Sequence, residues 1–292
     1  MLSASLRQNI AFSLQTVLQK DVSIQNVQQV FGGDINQTFL LETTKGKFFV
    51  KTNADMRGDM FEKESNGLSL LGSTNAIRVP KPIVYGSFEG TIFLVMEYIE
   101  KGKPAKDFWQ QFGYGLAALH KVTQPQFGLS ENNYIGSIPQ SNTHADTWAE
   151  FYAQKRIMPL MQQALKQGKC AIGDVRSAEK LCNKFESLFP KEPPALVHGD
   201  LWGGNFMVAE NGQAVIYDPA VYYGHREMDI AMTLLFGGFD SQFYTYYNEA
   251  YALQPGWQKR VSLYQLYPLL VHLLLFEGHY YNSVMDIIKT AS

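Results

Sequence analysis

Apolar and polar positions in the first hundred residues predict one helix followed by a β-rich segment. Apolar residues recur at helical spacing over 6–18, and a serine precedes them as a candidate N-cap. Two short runs, 38–43 and 47–51, flank a Thr-Lys-Gly turn, which is typical of a β-hairpin. Two further strands are predicted at 83–85 and 91–98.

From residue 104 onward the pattern is mainly helical. Apolar stripes predict helices over 108–119, 148–157 and 175–189, and the segment 127–136 between the first two is loop-rich. The apolar stretch 263–276 contains glutamine, proline and histidine, so it predicts a buried helix and not a membrane span.

Composition narrows the possible partners. The 292 residues are 46% hydrophobic and 18% charged, an ordinary globular balance. A net charge of −2 indicates no nucleic-acid partner and no anionic membrane surface. The two cysteines match no metal or redox spacing, and the N-terminus has no apolar export segment, so we predict a cytoplasmic protein.

One stretch carries candidate chemistry. His198 and Asp200 follow a short apolar run, Asn205 comes five positions after the aspartate, and a second apolar strand ends at Asp218. This H-x-D-x-x-x-x-N pattern with a following aspartate is typical of phosphoryl transfer in kinase-like folds. We assign Asp200 to accepting the proton of a hydroxyl group, and Asn205 and Asp218 to binding Mg²⁺. The alternative is a tight turn between two strands.

A glycine pair precedes the predicted hairpin. Gly32 and Gly33 would let the backbone approach a triphosphate closely, with Asn36 beside them, whereas an ordinary turn is the alternative. Asp34 is a poor neighbour for phosphate, so its side chain is expected to point away.

Lys51 ends the second strand of the hairpin. In the helix that follows, Glu64 falls in the apolar stripe, three positions after Phe61 and four before Leu68. A carboxylate on a core-facing stripe is costly unless it is paired. We therefore predict a Lys51–Glu64 ion pair that positions phosphates, and the alternative is a Glu64 side chain that reaches solvent.

Two other segments are candidates for supporting roles. One predicted strand ends at Glu97, Tyr98 and Ile99, directly before a polar linker. This position suits a hinge whose backbone binds adenine, and it also suits a plain lobe boundary. Asp229 opens an apolar helix. Its side chain could cap the N-terminus of that helix, brace the catalytic loop from beneath, or do both. We interpret His198 as structural support within that loop.

These residues resemble the fructosamine kinase (ketosamine-3-kinase) family, within the aminoglycoside-phosphotransferase-like group, over nearly the whole chain. Trp202 is the residue that best separates this family from aminoglycoside and choline kinases. The similar motifs are 32–36, 96–98, 133–136, 198–205 and 263–270.

The resemblance implies an α+β, bilobal protein-kinase-like fold. A small antiparallel sheet with one key helix would form a nucleotide-binding lobe (1–99), and a larger helical lobe (100–292) would hold catalysis and substrate. It also implies ATP and Mg²⁺ as cofactors. The implied reaction phosphorylates the 3-hydroxyl of a ketoamine, on a small molecule or on a glycated protein amine, and leads to deglycation.

The spacing after the motif agrees with a small acceptor. Only eleven positions separate Asp218 from Asp229, too few for the activation segment of a protein kinase. Trp202 either stacks on the sugar adduct or packs beneath the loop. The alternative functions are an aminoglycoside- or choline-type phosphotransferase and a nucleotide-binding module without turnover. The sequence does not indicate an oligomeric state.

Overall fold

The structure, a computed structural model, describes residues 2–30, 36–54, 58–276 and 279–291. The strands are β1 (Ile24–Val30), β2 (Gln37–Thr43), β3 (Gly46–Asn53), β4 (Pro82–Phe88), β5 (Thr91–Glu97), β6 (Asn133–Ile135), β7 (Ile138–Gln140), β8 (Ala195–Val197), β9 (Phe206–Val208), β10 (Ala214–Ile216) and β11 (Tyr222–Gly224). The helices are α1 (Ala4–Leu18), α2 (Met60–Ser73), α3 (Phe108–His120), α4 (Trp148–Phe151), α5 (Met158–Lys166), α6 (Ile172–Cys182), α7 (Phe185–Leu188), α8 (Glu227–Thr233), α9 (Ser241–Ala250), α10 (Trp257–Leu275) and α11 (Tyr280–Ala291). None of the helices in these ranges has the length and apolar character needed to cross a membrane.

Two compact units make up the chain. The first comprises Met1–Ala105 with Met207–Asp218, and the second comprises Lys106–Phe206 with Pro219–Ser292. The first contains an antiparallel sheet and the second is mainly helical, so the α+β class is confirmed. The lobe boundary at residue 99 stays a prediction.

The sheet of the first unit has the strand order β1-β2-β3-β5-β4, and all neighbours are antiparallel. One face buries the apolar residues of α1, whose first turn is capped by the Ser3 hydroxyl accepting the Leu6 N–H. Phe48 and Val50 point to this face. Because side chains alternate along a strand, Lys51 points to the opposite face.

Residues 207–218 join the first unit through backbone hydrogen bonds. Gly102 donates its N–H to the Val208 carbonyl oxygen (2.9 Å), and Ile216 donates to the Arg78 carbonyl oxygen (3.1 Å). A Cβ atom at Gly102 would collide with the Ala209 carbonyl oxygen, so this approach requires glycine. The segment that ends at Asp218 is therefore held by the sheet unit.

Three predicted segments of the second unit differ from the structure. The helix predicted over 175–189 is two helices, α6 and α7, because the chain turns after Cys182. The helix predicted over 148–157 contains a π-helical turn, Tyr152–Ile157, and continues as α5. The loop-rich segment 127–136 ends in β6, which pairs with β7.

The predicted buried helix is α10, and it contains Pro268. Proline has no N–H, so the Tyr264 carbonyl four residues earlier lacks its usual helical donor. The buried Tyr152 hydroxyl lies 3.2 Å from that oxygen and 2.7 Å from the Leu263 carbonyl oxygen. It also accepts the Tyr267 N–H (3.3 Å), so one side chain satisfies the proline break.

We expect Tyr152→Phe to lower the free energy of unfolding by about 1–3 kcal/mol, because it leaves buried backbone groups without a partner. Urea denaturation measures the change. The matched control is Tyr281→Phe, whose hydroxyl bonds to Asp174 at the surface, and its effect should stay within about 0.5 kcal/mol. Equal effects of the two variants would contradict this account of α10.

Candidate active site

The loop after β8 fixes the predicted catalytic carboxylate. The Asn205 amide nitrogen donates to the Asp200 carbonyl oxygen (2.8 Å) and to Asp200 Oδ2 (3.0 Å). The Asp200 N–H in turn donates to His198 Nδ1 (3.3 Å). Asn205 is buried and Asp200 is half-buried. The loop therefore holds an oriented carboxylate with part of its surface accessible.

Gly199 allows the loop to turn. Its φ of 83° lies in the left-handed region, and a Cβ atom there would collide with the Ala220 carbonyl oxygen. The Ala220 N–H donates to the His198 carbonyl oxygen (2.9 Å). A side chain at position 199 would thus push apart the two segments that meet here.

Asp229 lies beneath this loop, fully buried. Its carboxylate accepts the N–H groups of His198 (2.7 Å) and Gly199 (2.9 Å), and it pairs with His120 Nε2 (3.1 Å). Burial alone would raise the pKa of Asp229, but the hydrogen bond and charge of His120 and the contacts of the loop hold it below its usual value. The predicted bracing contact is present.

The N-cap interpretation of Asp229 is wrong. Helix α8 begins at Glu227, so Asp229 lies in its first turn, and the N-cap position is Arg226. The sequence did not reveal that His120 joins Asp229 to the Tyr247 hydroxyl (2.7 Å from His120 Nδ1). The available signal was a histidine within an apolar helical stripe, which needs a buried partner.

We expect Asp229→Asn to lower kcat about tenfold and the free energy of unfolding by about 2 kcal/mol. The amide NH₂ group would face a backbone N–H that now donates to a carboxylate oxygen, leaving one donor unsatisfied. Steady-state kinetics and urea denaturation measure the two effects. Asp240→Asn, at the N-cap of α9, is the control, since asparagine caps helices as well as aspartate does. A kcat equal to that of the unsubstituted protein would argue against bracing.

The first unit contains the predicted ion pair between Lys51 and Glu64. Lys51 is 4% exposed, and its Nζ lies 2.7 Å from Glu64 Oε1, so the predicted ion pair is confirmed. Nζ also pairs with the Asp218 carboxylate. Burial would lower the pKa of Lys51, but the charges of Asp218 and Glu64 raise it, so the ammonium group stays charged at neutral pH.

Asp218 itself is in a left-handed conformation, with φ of 58°. Aspartate tolerates this region better than most residues, yet it remains costly and marks a constrained position. Its side chain is 36% exposed, so part of the carboxylate is accessible beyond the contact with Lys51. The Lys51–Asp218 contact was not predicted, since no local pattern joins residues so far apart in the chain.

In the candidate hinge, the Glu97 side chain bonds to other residues of the protein. The Glu97 carboxylate pairs with Arg78 (2.9 Å) and accepts the Lys81 N–H (3.2 Å). Ile99 is buried, and the Tyr98 ring lies below the Lys47 ammonium group (5.8 Å). The Glu97 and Ile99 side chains are thus engaged within the protein, and a backbone contact with adenine stays a prediction.

The glycine loop is only partly described. Gly32, Gly33 and Asp34 lie outside the described residues, so their predicted roles stay predictions. Asn36 is described, and its Oδ1 accepts the Asn53 side-chain N–H (2.8 Å). That contact ties the start of β2 to the end of β3.

Trp202 lies two residues after Asp200 and is half-buried. Its indole ring folds over Gly204, where a Cβ atom would collide with the ring. The ring also meets Phe236 edge-to-face, with centroids 5.9 Å apart. Trp202, Asp200 and Asn205 belong to the second unit, whereas Lys51 and Asp218 belong to the first.

Comparison with known proteins identifies the family. The family model described as fructosamine kinase matches residues 6–291. A probable ketoamine kinase from Synechocystis sp. is 40% identical over 97% of this chain and 95% of its own. A chloroplastic protein-ribulosamine 3-kinase from Oryza sativa subsp. indica is 40% identical over 92% of this chain and 79% of its own.

Solved structures agree on the fold. A candidate fructosamine-3-kinase from Thermobifida fusca is 35% identical and has a TM-score of 0.85, covering 97% of this chain and 98% of that one. An aminoglycoside phosphotransferase, solved with ADP and hygromycin B, is 15% identical with a TM-score of 0.64 over 98% of this chain and 99% of its own. The second likeness concerns the fold alone, and it confirms the predicted protein-kinase-like class. The chain belongs to the fructosamine kinase family, and the predicted ATP-dependent phosphotransferase with an alcohol acceptor is confirmed at the level of that family.

Proposed function

We propose that the protein transfers the γ-phosphoryl group of ATP to the 3-hydroxyl of a ketoamine, such as a fructosamine or a ribulosamine. Family membership supports the kinase chemistry, and the rice relative is named for a ribulosamine and for the 3-position. The observation that carries the proposal is the catalytic loop, in which Asn205 orients Asp200 and Asp229 holds the backbone.

Asp200 is the proposed proton acceptor. During transfer the acceptor oxygen forms a bond to the γ-phosphorus, and the bond from that phosphorus to the ADP oxygen breaks. The proton of the hydroxyl group passes to the Asp200 carboxylate. The two hydrogen bonds from Asn205 restrict the aspartate to one orientation, so its position does not depend on the substrate.

On the nucleotide side, Lys51 is the proposed phosphate contact. Its two carboxylate neighbours keep it charged and restrict its position, which suits a cation that must meet phosphate oxygens. The backbone of 97–99 is the proposed adenine contact. Contacts of Gly32, Gly33 and Asn36 with the phosphates are part of the same proposal.

Asn205 and Asp218 are the proposed ligands of Mg²⁺. The Asn205 nitrogen is used by Asp200, which leaves its Oδ1 as the ligand atom, and the partly exposed Asp218 carboxylate offers a second oxygen. Oxygen donors of this kind fit Mg²⁺. When bound, the ion would neutralise charge on the transferring phosphate.

The acceptor is a small molecule or an exposed glycated amine. Between Asp218 and Asp229 the described chain forms β11 and the start of α8, so no long activation segment intervenes. Trp202 is the proposed contact for the sugar adduct. We also propose deglycation as the outcome, because the family resemblance implies it. We propose the cytoplasm as the location, because two free cysteines suit a reducing compartment.

An ADP-release assay over a panel of acceptors tests the proposal. We expect ADP with fructosyl or ribulosyl amines, a product phosphorylated at the 3-hydroxyl by NMR, and background rates with aminoglycosides and choline. ADP release only with aminoglycosides or choline would assign the protein to the alternative class. Nucleotide binding without turnover on any acceptor would support a non-catalytic module.

A further inference from the structure

A row of three aromatic rings extends from the catalytic loop across the second unit. Trp202 meets Phe236 with centroids 5.9 Å apart, and Phe236 meets His272 with centroids 4.7 Å apart. We call these three side chains the aromatic row. It begins two residues after Asp200, and the Phe236 ring is 42% exposed. Large exposed aromatic side chains next to a catalytic carboxylate often contact a ligand.

The backbone at Phe236 is in an unfavourable conformation. Its φ is 56°, and the next two residues, Gly237 and Gly238, also have positive φ (109° and 73°). Glycine accepts this conformation readily, whereas a bulky aromatic residue does not. The ring contacts Trp202 and His272, yet the residue remains 42% exposed, so its burial is incomplete. An outlier of this kind is a reason to look for a function.

Contacts at both ends of the loop anchor it. The Tyr244 hydroxyl bonds to the Thr233 hydroxyl (3.2 Å) and accepts the Phe239 N–H (3.2 Å). Thr233 ends α8, the helix that also carries Asp229. The loop is thus anchored to the element that braces the catalytic loop, and within it the Phe236 ring contacts Trp202.

The third ring presents an uncharged surface. Burial lowers the pKa of His272, so its imidazole is neutral at neutral pH. The carbonyl oxygen of Pro268 accepts a hydrogen bond from His272 Nδ1 (2.8 Å), so the proton of the neutral ring is on Nδ1. The row therefore offers flat, neutral ring faces and edges, which suit an apolar group and not a charged one.

Ketoamine chemistry indicates what this surface receives. In a ketoamine the nitrogen is on C1, only two carbons from the C3 that carries the reacting hydroxyl. When that hydroxyl meets Asp200, the substituent on the nitrogen must start within a few bond lengths of the catalytic loop. We propose that Phe236, backed by His272, is a specificity-determining residue that binds an apolar substituent on the ketoamine nitrogen; this rests on the proposed function.

Two ketoamines that differ only in the amine test the assignment. Fructosyl-glycine carries a small substituent, and fructosyl-phenylalanine adds an aromatic ring to it. We expect the ratio of kcat/KM for fructosyl-phenylalanine to that for fructosyl-glycine to fall about tenfold in Phe236→Asn, mainly through KM. Asparagine tolerates positive φ but lacks the ring contacts, so the two effects oppose each other and the melting temperature should change little. Phe236→Tyr keeps the ring and should keep the ratio.

The control is Phe12→Ala, which removes a 68% exposed aromatic side chain from α1 and should leave the ratio unchanged. A ratio in Phe236→Asn within twofold of the unsubstituted protein would overturn the assignment, as would equal activity of the unsubstituted protein on both ketoamines. Failure of the proposed function looks different: no ketoamine would release ADP with any variant, and the assignment would fall with it.

Discussion

Asp200→Asn is expected to lower kcat by a factor on the order of 10³, the scale on which a positioned general base contributes. Asparagine has nearly the same shape, and its oxygen can still accept the hydrogen bond from Asn205. It cannot accept a proton from the acceptor hydroxyl. Loss of turnover with an intact loop would therefore show that the reaction needs the Asp200 carboxylate as a proton acceptor. It would not be explained by a displaced loop.

Nucleotide binding separates this outcome from misfolding. We expect the Kd for ATP, measured by calorimetry, to change less than about threefold in Asp200→Asn. The reason is that the asparagine side chain removes no proposed contact with the nucleotide. Asp286→Asn changes an exposed aspartate on α11 and serves as the matched control. A kcat for Asp200→Asn within tenfold of the unsubstituted protein would remove Asp200 from the proposed mechanism.

Local patterns predicted those parts of the site that one short segment encodes. Asp200 and Asn205 are five positions apart, and this spacing predicted that both belong to one catalytic loop, although the hydrogen bond between them was not predicted. The Lys51–Glu64 pair followed from helical periodicity, because a carboxylate within an apolar stripe needs a partner. In both cases one element or one short loop contains the physical reason.

Contacts between distant segments were not predictable in this way. The Asp218 carboxylate reaches Lys51 because residues 207–218 are bonded to the first unit, and no periodicity in either segment encodes that pairing. The π-helical turn at Tyr152–Ile157 was likewise not predicted, and its Tyr152 hydroxyl bonds to the Leu263 carbonyl oxygen in α10, far along the chain. The left-handed Phe236 contradicts its own residue preference, so tertiary contacts and not local propensity place it.

Lys51→Met is expected to lower kcat/KM by about 10²-fold and the free energy of unfolding by about 3–5 kcal/mol. The variant leaves the Glu64 carboxylate, which is 13% exposed, without its cation. It also removes the ammonium group that Asp218 contacts. Kinetics and urea denaturation measure the two losses.

The chain contains a matched control on the same strand. Lys47 lies four residues before Lys51 on β3, on the same face of the strand. It pairs with Glu100 at 2.8 Å, close to the 2.7 Å of the Lys51–Glu64 pair. The Lys47 and Glu100 side chains are 46% and 60% exposed, however, and exposed ion pairs contribute little. Lys47→Met should therefore cost less than about 1 kcal/mol and leave turnover intact. If Lys47→Met and Lys51→Met lowered the free energy of unfolding equally, burial would not determine how much each ion pair stabilises the protein.

A double variant separates stability from function. Lys51→Met with Glu64→Leu replaces both partners by apolar side chains, so no carboxylate of α2 remains buried without a cation. Replacing a whole buried ion pair in this way is often neutral or stabilising, and we expect most of the stability lost in Lys51→Met to return. Turnover should not return, because phosphate positioning needs the ammonium group itself. Recovery of both would mean that Lys51 only stabilises the fold, and its proposed contact with phosphate would then have to be abandoned.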